Sequence, residues 1–415
     1  MFDLIQLPMS GAFGGSVGLN AMHEENLLTQ EALYEMWHKL SPEGMIVLSS
    51  FIDLPPRIIL KNAALISGLL ENLDIENPLQ HVIAVRSWST LTYVVKKRSL
   101  ETDDLFAVNN FCEDLGFDPV LLLGSTSKET NNTLENEAVF DAIKQMFGRN
   151  RNEIIEANDF NITIPSDNQP YFYQFLRLKN IVKQYKTLGQ RTAFLELGYL
   201  IVLVTLFQVF LFAFVLVIAP LFKLGFKGDQ KTWVLFYFSG LGLGYLFLEI
   251  VLIKYFVRFL GHPIYAVATV ISVMLISSGL GSLYSSKLKL VVKKLTRLTA
   301  LISVLIIAYA FILGFVLDQT VGWSFIGKLL ITVLAISIPA FFMGMPFPMG
   351  LQLVNEKHED QVPWAWGING CVSVISTSLA TIIAVEFGFT IVMFLAALAY
   401  FVAFLSLWIG GARRV

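Results

Sequence analysis

From Glu196 to its end the sequence is a succession of long apolar runs, and this restricts the fold more than any motif in the chain. A helix needs about 20 apolar residues to cross a bilayer, and only helices or closed barrels satisfy their backbone inside lipid. Seven runs are long enough: 196–222, 233–260, 263–285, 298–317, 326–353, 364–388 and 390–410. The fifth contains Pro339, Gly344, Pro346, Pro348 and Gly350, so it is expected to kink or break into two short segments. Residues 1–195 differ, with acids, bases and turn residues throughout. Over all 415 residues 55% are hydrophobic and mean hydropathy is +0.63, beyond the range of an ordinary soluble protein. The expectation is a soluble domain over 1–175, a basic linker over 176–195 and an integral membrane domain of about seven helices over 196–415. The lipid bilayer is the first expected partner.

The net charge of −2 gives no reason to expect a nucleic-acid partner. Cys112 and Cys371 lie in different parts, so no disulfide framework is expected. His23, His38, His81, His262 and His358 are scattered without metal-ligand spacing, and no metal is assigned. The first 20 residues lack the basic start of a signal peptide and carry Asp3 early.

In the soluble part, Phe2–Leu7 reads as a buried parallel strand followed by a loop of small residues, Ser10 to Gly18. Leu27–Leu40 follows as a helix, with Leu33, Met36, Trp37 and Leu40 on one side. Ser41-Pro42-Glu43-Gly44 reads as a turn and Met45–Phe51 as a strand. A helix is predicted over Arg57–Leu73, then a hairpin of His81–Ser87 and Thr90–Lys96. A helix over Thr102–Leu115, a strand over Pro119–Leu123 and a helix over Leu134–Phe147 complete the pattern. Strand, helix, strand, helix and a late hairpin form the second half of a doubly wound α/β sheet, a partial Rossmann-like fold. The glycine-rich turn and the acidic residue about 20 positions on, which mark the first half, would have to precede Phe2. The chain is therefore expected to begin within a domain.

The stretches FDLIQLPMSGAFGG and LLTQEALYEMWHKLSPEGMIVLSSF resemble the central part of spermidine synthases and related class I methyltransferases. The resemblance implies a site for S-adenosylmethionine or its decarboxylated form, and aminopropyl- or methyltransferase chemistry in whole members. The family's strand ends in an Asp that deprotonates the attacking amine. Here that position is Pro8, and neither Gln6 nor Ser10 can replace the base. The chain alone is expected to bind no nucleotide and to be inactive, unless an N-terminal half or an upstream-encoded chain completes it. Substrate- or cofactor-edge candidates are Asp3, Gln6, Ser10, Gly11, Tyr171 and Tyr173. The last two lie in Asp167-Asn168-Gln169-Pro170-Tyr171-Phe172-Tyr173, similar to a "DD-x-P-Y-F" stretch that membrane-fused spermidine-synthase-like proteins carry before their membrane helices. That stretch reads as a lid or substrate contact, or as aromatics docked on the sheet.

GLGLGYLFLEIVLIKYFVRFLGHPIYAVATVISVMLISSGLGS, Gly240 to Ser282, resembles the same fused family. Gly240, Gly242 and Gly244 imitate a dinucleotide fingerprint, but inside a membrane helix they read as close packing, as do Gly279 and Gly281. Glu249 sits near the middle of its span, where a carboxylate costs roughly 2.5–3.5 kcal/mol unless paired or hydrated. The intramembrane polar candidates are Glu249, Lys254, His262, Asn369, Ser373 and Ser376, with His262 also readable as the cap of an interfacial turn. They support an alternative function, transport or binding of a small amphipathic or cationic molecule, with the α/β part regulating it. A multi-pass protein of the bacterial inner membrane is expected. Lys223, Lys227 and Lys231, then Lys287 to Arg297, then Arg413 and Arg414, mark the cytoplasmic side, which faces the soluble domain outward. Lys179, Lys183, Lys186 and Arg191 argue for the inward orientation, and the two signals conflict.

Overall fold

The computed structural model describes residues 1–11, 20–53, 55–123, 137–188, 197–215, 219, 231–288, 291–357 and 359–412. The chain divides into two compact units, Met1–Ile201 and Val202–Val415.

The first unit is built on a mixed five-stranded sheet. Its strands are β1 (Phe2–Gln6), β2 (Leu40–Phe51), β3 (Val82–Arg86), β4 (Thr90–Lys96) and β5 (Asp118–Leu121), in the order β1-β2-β4-β3-β5. β1 and β2 are parallel, joined through α1 (Gln30–Lys39), and the other neighbours are antiparallel. A parallel pair needs a crossover, and Thr29 starts this one: its hydroxyl accepts from the Ala32 N–H as an N-cap. The hairpin β3–β4 closes where expected, with Ser87 N–H donating to the Thr90 carbonyl at 2.9 Å.

The strands alternate, so one sheet face carries Ile46, Leu48, Val82, Ala84, Leu91, Tyr93 and Val95, all buried. Against it lies α2 (Ile58–Asn72), in which every residue from Ile58 to Leu70 is buried. A helix apolar all round must be enclosed. Phe160, Ile162, Phe172 and Phe175 belong to the core that surrounds it. The other face carries α3 (Thr102–Leu115) over a small cluster of Ile83, Leu100 and Leu122.

Three expectations change, and a fourth falls partly outside the described residues. β1 is not buried: Phe2 is 59% and Leu4 52% exposed, because β1 is an edge strand paired on one side only. The Ser41–Gly44 turn is absorbed into β2. Its local signal survives as a bulge, since Phe2 pairs with Leu40 while Leu4 pairs with Met45. Residues 137–146 form helix α4 (Glu137–Met146), and the predicted start at Leu134 lies outside the described residues, as does most of the Ser10–Gly18 loop. The linker is partly structured: after α5 (Arg151–Ala157), α6 (Ile181–Leu188) is tied to Asp159 by Lys183 and by Gln184 at 2.6 Å.

The second unit is helical. Among the described residues six helices are long and apolar enough to cross a membrane, which points to a multi-pass membrane protein. After α7 (Leu197–Ala213) come α8 (Lys231–Leu260), α9 (Pro263–Ser285), α10 (Val292–Thr320), α11 (Phe325–Met343), α12 (Pro346–Lys357), α13 (Val362–Phe387) and α14 (Phe389–Ala412). The six are α8, α9, α10, α11 with α12, α13 and α14. Of the seven expected runs, six appear in this set; the first has a described helix over Leu197–Ala213, and its residues 216–218 and 220–222 lie outside the described residues. The fifth run divides into α11 and α12, as its prolines required: Pro346 and Pro348 have no N–H to continue the α11 ladder. Large side chains such as Phe311 and Leu275 remain exposed on the bundle, as lipid-facing residues must.

Candidate intramembrane site

The polar residues of the membrane unit converge where the broken helix meets α8, α9 and α13. α8 presents Tyr245 and Glu249 one turn apart on one side. The Tyr245 hydroxyl lies 3.4 Å from Ser278 Oγ on α9. α13 contributes Asn369, whose Nδ2 donates to the Phe238 carbonyl at 3.1 Å, and Ser373, whose hydroxyl makes no hydrogen bond among the described residues. Together with Ser282, Gly344 and Pro348, the residues Tyr245, Ser278, Asn369 and Ser373 line a cavity of about 400 Å³, while Glu249 lies one turn beyond Tyr245 and is not a lining residue.

Glycines bring these helices together. A Cβ at Gly240 would lie 2.4 Å from the Ala399 carbonyl oxygen, and one at Gly244 2.5 Å from the Tyr400 ring. One at Gly242 would lie 2.9 Å from Ser373 Oγ. The three glycines pack α8 on α13 and α14, as their membrane context requires. On α9 the reading of Gly279 is corrected: a Cβ there meets nothing within 4 Å, and the residue borders the cavity. Gly281 does pack closely, since its Cβ would fall 1.9 Å from the Phe341 carbonyl oxygen. A Cβ at Gly344 would likewise lie 2.0 Å from the Ser278 carbonyl oxygen of α9. The break in the fifth run is thus pinned to α9.

Glu249 is half-buried and makes no hydrogen bond or ion pair among the described residues. A carboxyl group in this position needs a water or a ligand to satisfy its oxygens. The remaining candidates do not join it. Ser376 turns its hydroxyl back to the Val372 carbonyl at 2.6 Å. Lys254 follows on α8 and is not a lining residue of the cavity. His262 stands at the N-cap of α9, where its carbonyl accepts from the Ala266 N–H at 3.0 Å, although its side chain makes no capping bond. Its ring instead packs edge-on against Tyr265 and Phe325 at the turn, where Gly261 takes φ +70°. Tyr245 and Ser278 were missed by sequence reasoning, although both lie in the Gly240–Ser282 stretch. Their signal was available: a tyrosine one turn before Glu249, and a serine beside the small residues of Ser-Gly-Leu-Gly-Ser.

In the α/β unit the sequence candidates converge only in part. Ser10 bridges in parallel to Ser50, and Gly11 N–H donates to the Tyr173 hydroxyl at 3.1 Å. Burial pushes the Tyr173 hydroxyl up, with the Gly11 contact opposing it. Tyr171 is raised by burial and then by nearby Glu24. The Asp167–Tyr173 segment is docked rather than free: Asp167 accepts from Thr29 Oγ1 at 2.7 Å, and Phe172 is fully buried. Asp3 stands apart, accepting from Ser41 Oγ at 2.6 Å on the exposed edge strand, and Gln6 and Pro8 are exposed. Among the described residues no group of three His, Cys, Asp or Glu is arranged to hold a metal ion.

A second hollow, of about 590 Å³, lies between α8, α13 and α14. Its walls are almost wholly apolar, with Leu243, Phe247, Ile383 and Leu395 among them. Comparison with known proteins gives no match to a protein-family model, a curated protein or a solved structure.

Proposed function

We propose that the membrane unit binds and moves a small cationic or amphipathic molecule through the cavity beside Glu249. The observation that carries this reading is Glu249 itself: a half-buried carboxyl group in mid-span, without a hydrogen bond or ion pair among the described residues, one turn from a tyrosine that lines a cavity with several polar side chains. A cationic group offers such an acid the pairing that the protein withholds. The bilayer we propose is the bacterial inner membrane. Uptake of radiolabelled putrescine, spermidine and choline into proteoliposomes holding the full chain tests the reading. Glu249→Gln should reduce uptake at least tenfold while thermal stability in detergent is unchanged. Equal uptake by the variant, or none of the three taken up by the parent chain, would sink it.

A second reading is favoured by the sheet. The order β1-β2-β4-β3, with antiparallel β4 inserted between two strands of like direction, supports kinship with the second half of an S-adenosyl-nucleotide transferase fold. On this reading the chain is a membrane-bound spermidine-synthase-like protein. Pro8 stands at the base position, and an N-terminal half or upstream-encoded chain supplies the nucleotide site. Calorimetry with S-adenosylmethionine and its decarboxylated form tests it on the 415-residue chain and on a chain extended by such a half. Binding by the extended protein alone is expected, and binding by neither removes the transferase reading.

A further inference from the structure

The break between α11 and α12 leaves one backbone oxygen without its helical partner, at a residue that lines the cavity. α11 ends at Met343 and α12 begins at Pro346. In an uninterrupted helix the N–H of residue 348 would bond to the Gly344 carbonyl, but residue 348 is proline and has none. Nearby groups are satisfied in other ways. Met345 N–H donates to the Phe342 carbonyl at 3.3 Å, Met349 N–H to the Met345 carbonyl at 3.3 Å, and the Tyr237 hydroxyl to the Pro346 carbonyl at 2.7 Å. The Gly344 carbonyl accepts no hydrogen bond among the described residues, and Gly344 lines the cavity. Its position is not adjustable, because the glycine is pressed against the Ser278 carbonyl of α9.

A bare carbonyl at membrane depth requires a partner inside the cavity. The side chains around it are oxygen-rich: the Ser278, Ser282 and Ser373 hydroxyls, the Tyr245 hydroxyl, and the Asn369 amide, whose nitrogen is committed to Phe238. No Lys, Arg or His is among the described residues that line the cavity. Neutral hard oxygens around a helix break suit a hard cation. The lack of carboxylates argues against a divalent one, for no Asp or Glu is among the described residues that line the cavity. We infer that the cavity at the α11–α12 break is an alkali-cation site, with the Gly344 carbonyl and the Ser278 and Asn369 side chains among its ligands. This rests on reading the cavity as a binding site and assigns it a coupling ion. A bound cation would fix the broken helix against α9 and alter the field felt by a cationic solute at Glu249.

The test is equilibrium binding of ²²Na⁺ and ⁸⁶Rb⁺ to the full chain in lipid nanodiscs, in choline chloride buffer. Saturable binding of one of these ions is expected. Ser278→Ala and Asn369→Ala should each weaken it at least tenfold, and Pro348→Ala, which returns an N–H to the Gly344 carbonyl, should do the same. No saturable binding by the parent chain, or binding unaffected by all three changes, overturns the inference. Solute binding measured in the same sodium-free buffer separates the two proposals. If solute binds without either ion being held, only the cation site falls. If ²²Na⁺ or ⁸⁶Rb⁺ binds while Glu249→Gln leaves uptake intact, the cation site stands and the solute reading falls.

Discussion

Arg57 in the first unit and Glu249 in the second are both charged residues withdrawn from water, and the fold treats them in opposite ways. Arg57 is 1% exposed, lies 2.9 Å from Asp53 and is stacked on Phe160 and Phe175. Lys61, one turn on, donates to the Gln174 carbonyl at 3.2 Å and lies over Phe172 and Phe175. Glu249 has neither an ion pair nor a hydrogen bond among the described residues. The first arrangement spends its polar groups on holding α2 to the segment that follows α5. The second leaves them available. A buried charge with its partners built in is structural, and the lack of them at Glu249 is what the proposed function rests on.

The comparison can be broken most severely at the contacts that bring the cavity walls together. Gly281→Ala drives a methyl group into the Phe341 carbonyl, 1.9 Å away. Backbone cannot yield as a side-chain tip does, so the cost exceeds the about 3 kcal/mol of ordinary overpacking. No folded membrane unit should be recovered by size-exclusion chromatography in detergent. Arg57→Ala comes next. It leaves Asp53 buried without its cation, a loss of about 3–5 kcal/mol, measurable as a lower unfolding midpoint of the full chain. Asp53 also accepts from the Arg57 and Ile58 N–H groups at the start of α2, so that helix should lose hydrogen-exchange protection first.

Asp104 sharpens the contrast at the surface. Burial raises its carboxyl, but the Glu101 N–H, the Lys96 hydrogen bond and the Lys96 and Arg98 charges outweigh burial and hold it below the usual carboxylate range. A depressed folded-state pKa stabilises above the unfolded value, and that stability is lost as pH falls through the folded one. Asp104→Asn should therefore cost about 1 kcal/mol at neutral pH, through the capping box and the ion pair, and the difference should vanish in strong acid. The smallest effect is expected at Gly279→Ala, where nothing lies within 4 Å: stability should change by less than about 0.5 kcal/mol in a thermal scan. A collapse there equal to that of Gly281 would show that the helices approach more closely than the fold describes.

Much of this was legible in the sequence. Thr90–Lys96 and Thr102–Leu115 fall where periodicity put them, and Pro263–Ser285 begins and ends with its apolar run. The prolines of the fifth run announced its break. Asn369 and Ser373 were recognisable as polar residues within a span, and they do line the cavity. Ser376 carried the same signal and does not, because its hydroxyl is used by its own helix. Period and composition report what a segment is, but not which of its polar atoms are already paired.

The sequence by itself determined the division of the chain, the membrane helices, the strands and the presence of an acid at membrane depth. Those follow from hydropathy and from the periods of helix and strand, which are local properties. Only the tertiary structure decided that β1 is an exposed edge, that Gly281 is locked while Gly279 is open, and that Tyr245 and Ser278 meet beside Glu249. Each of these depends on which surface of a second element faces the first. That choice is made by packing across dozens of residues of chain, where no local period reaches.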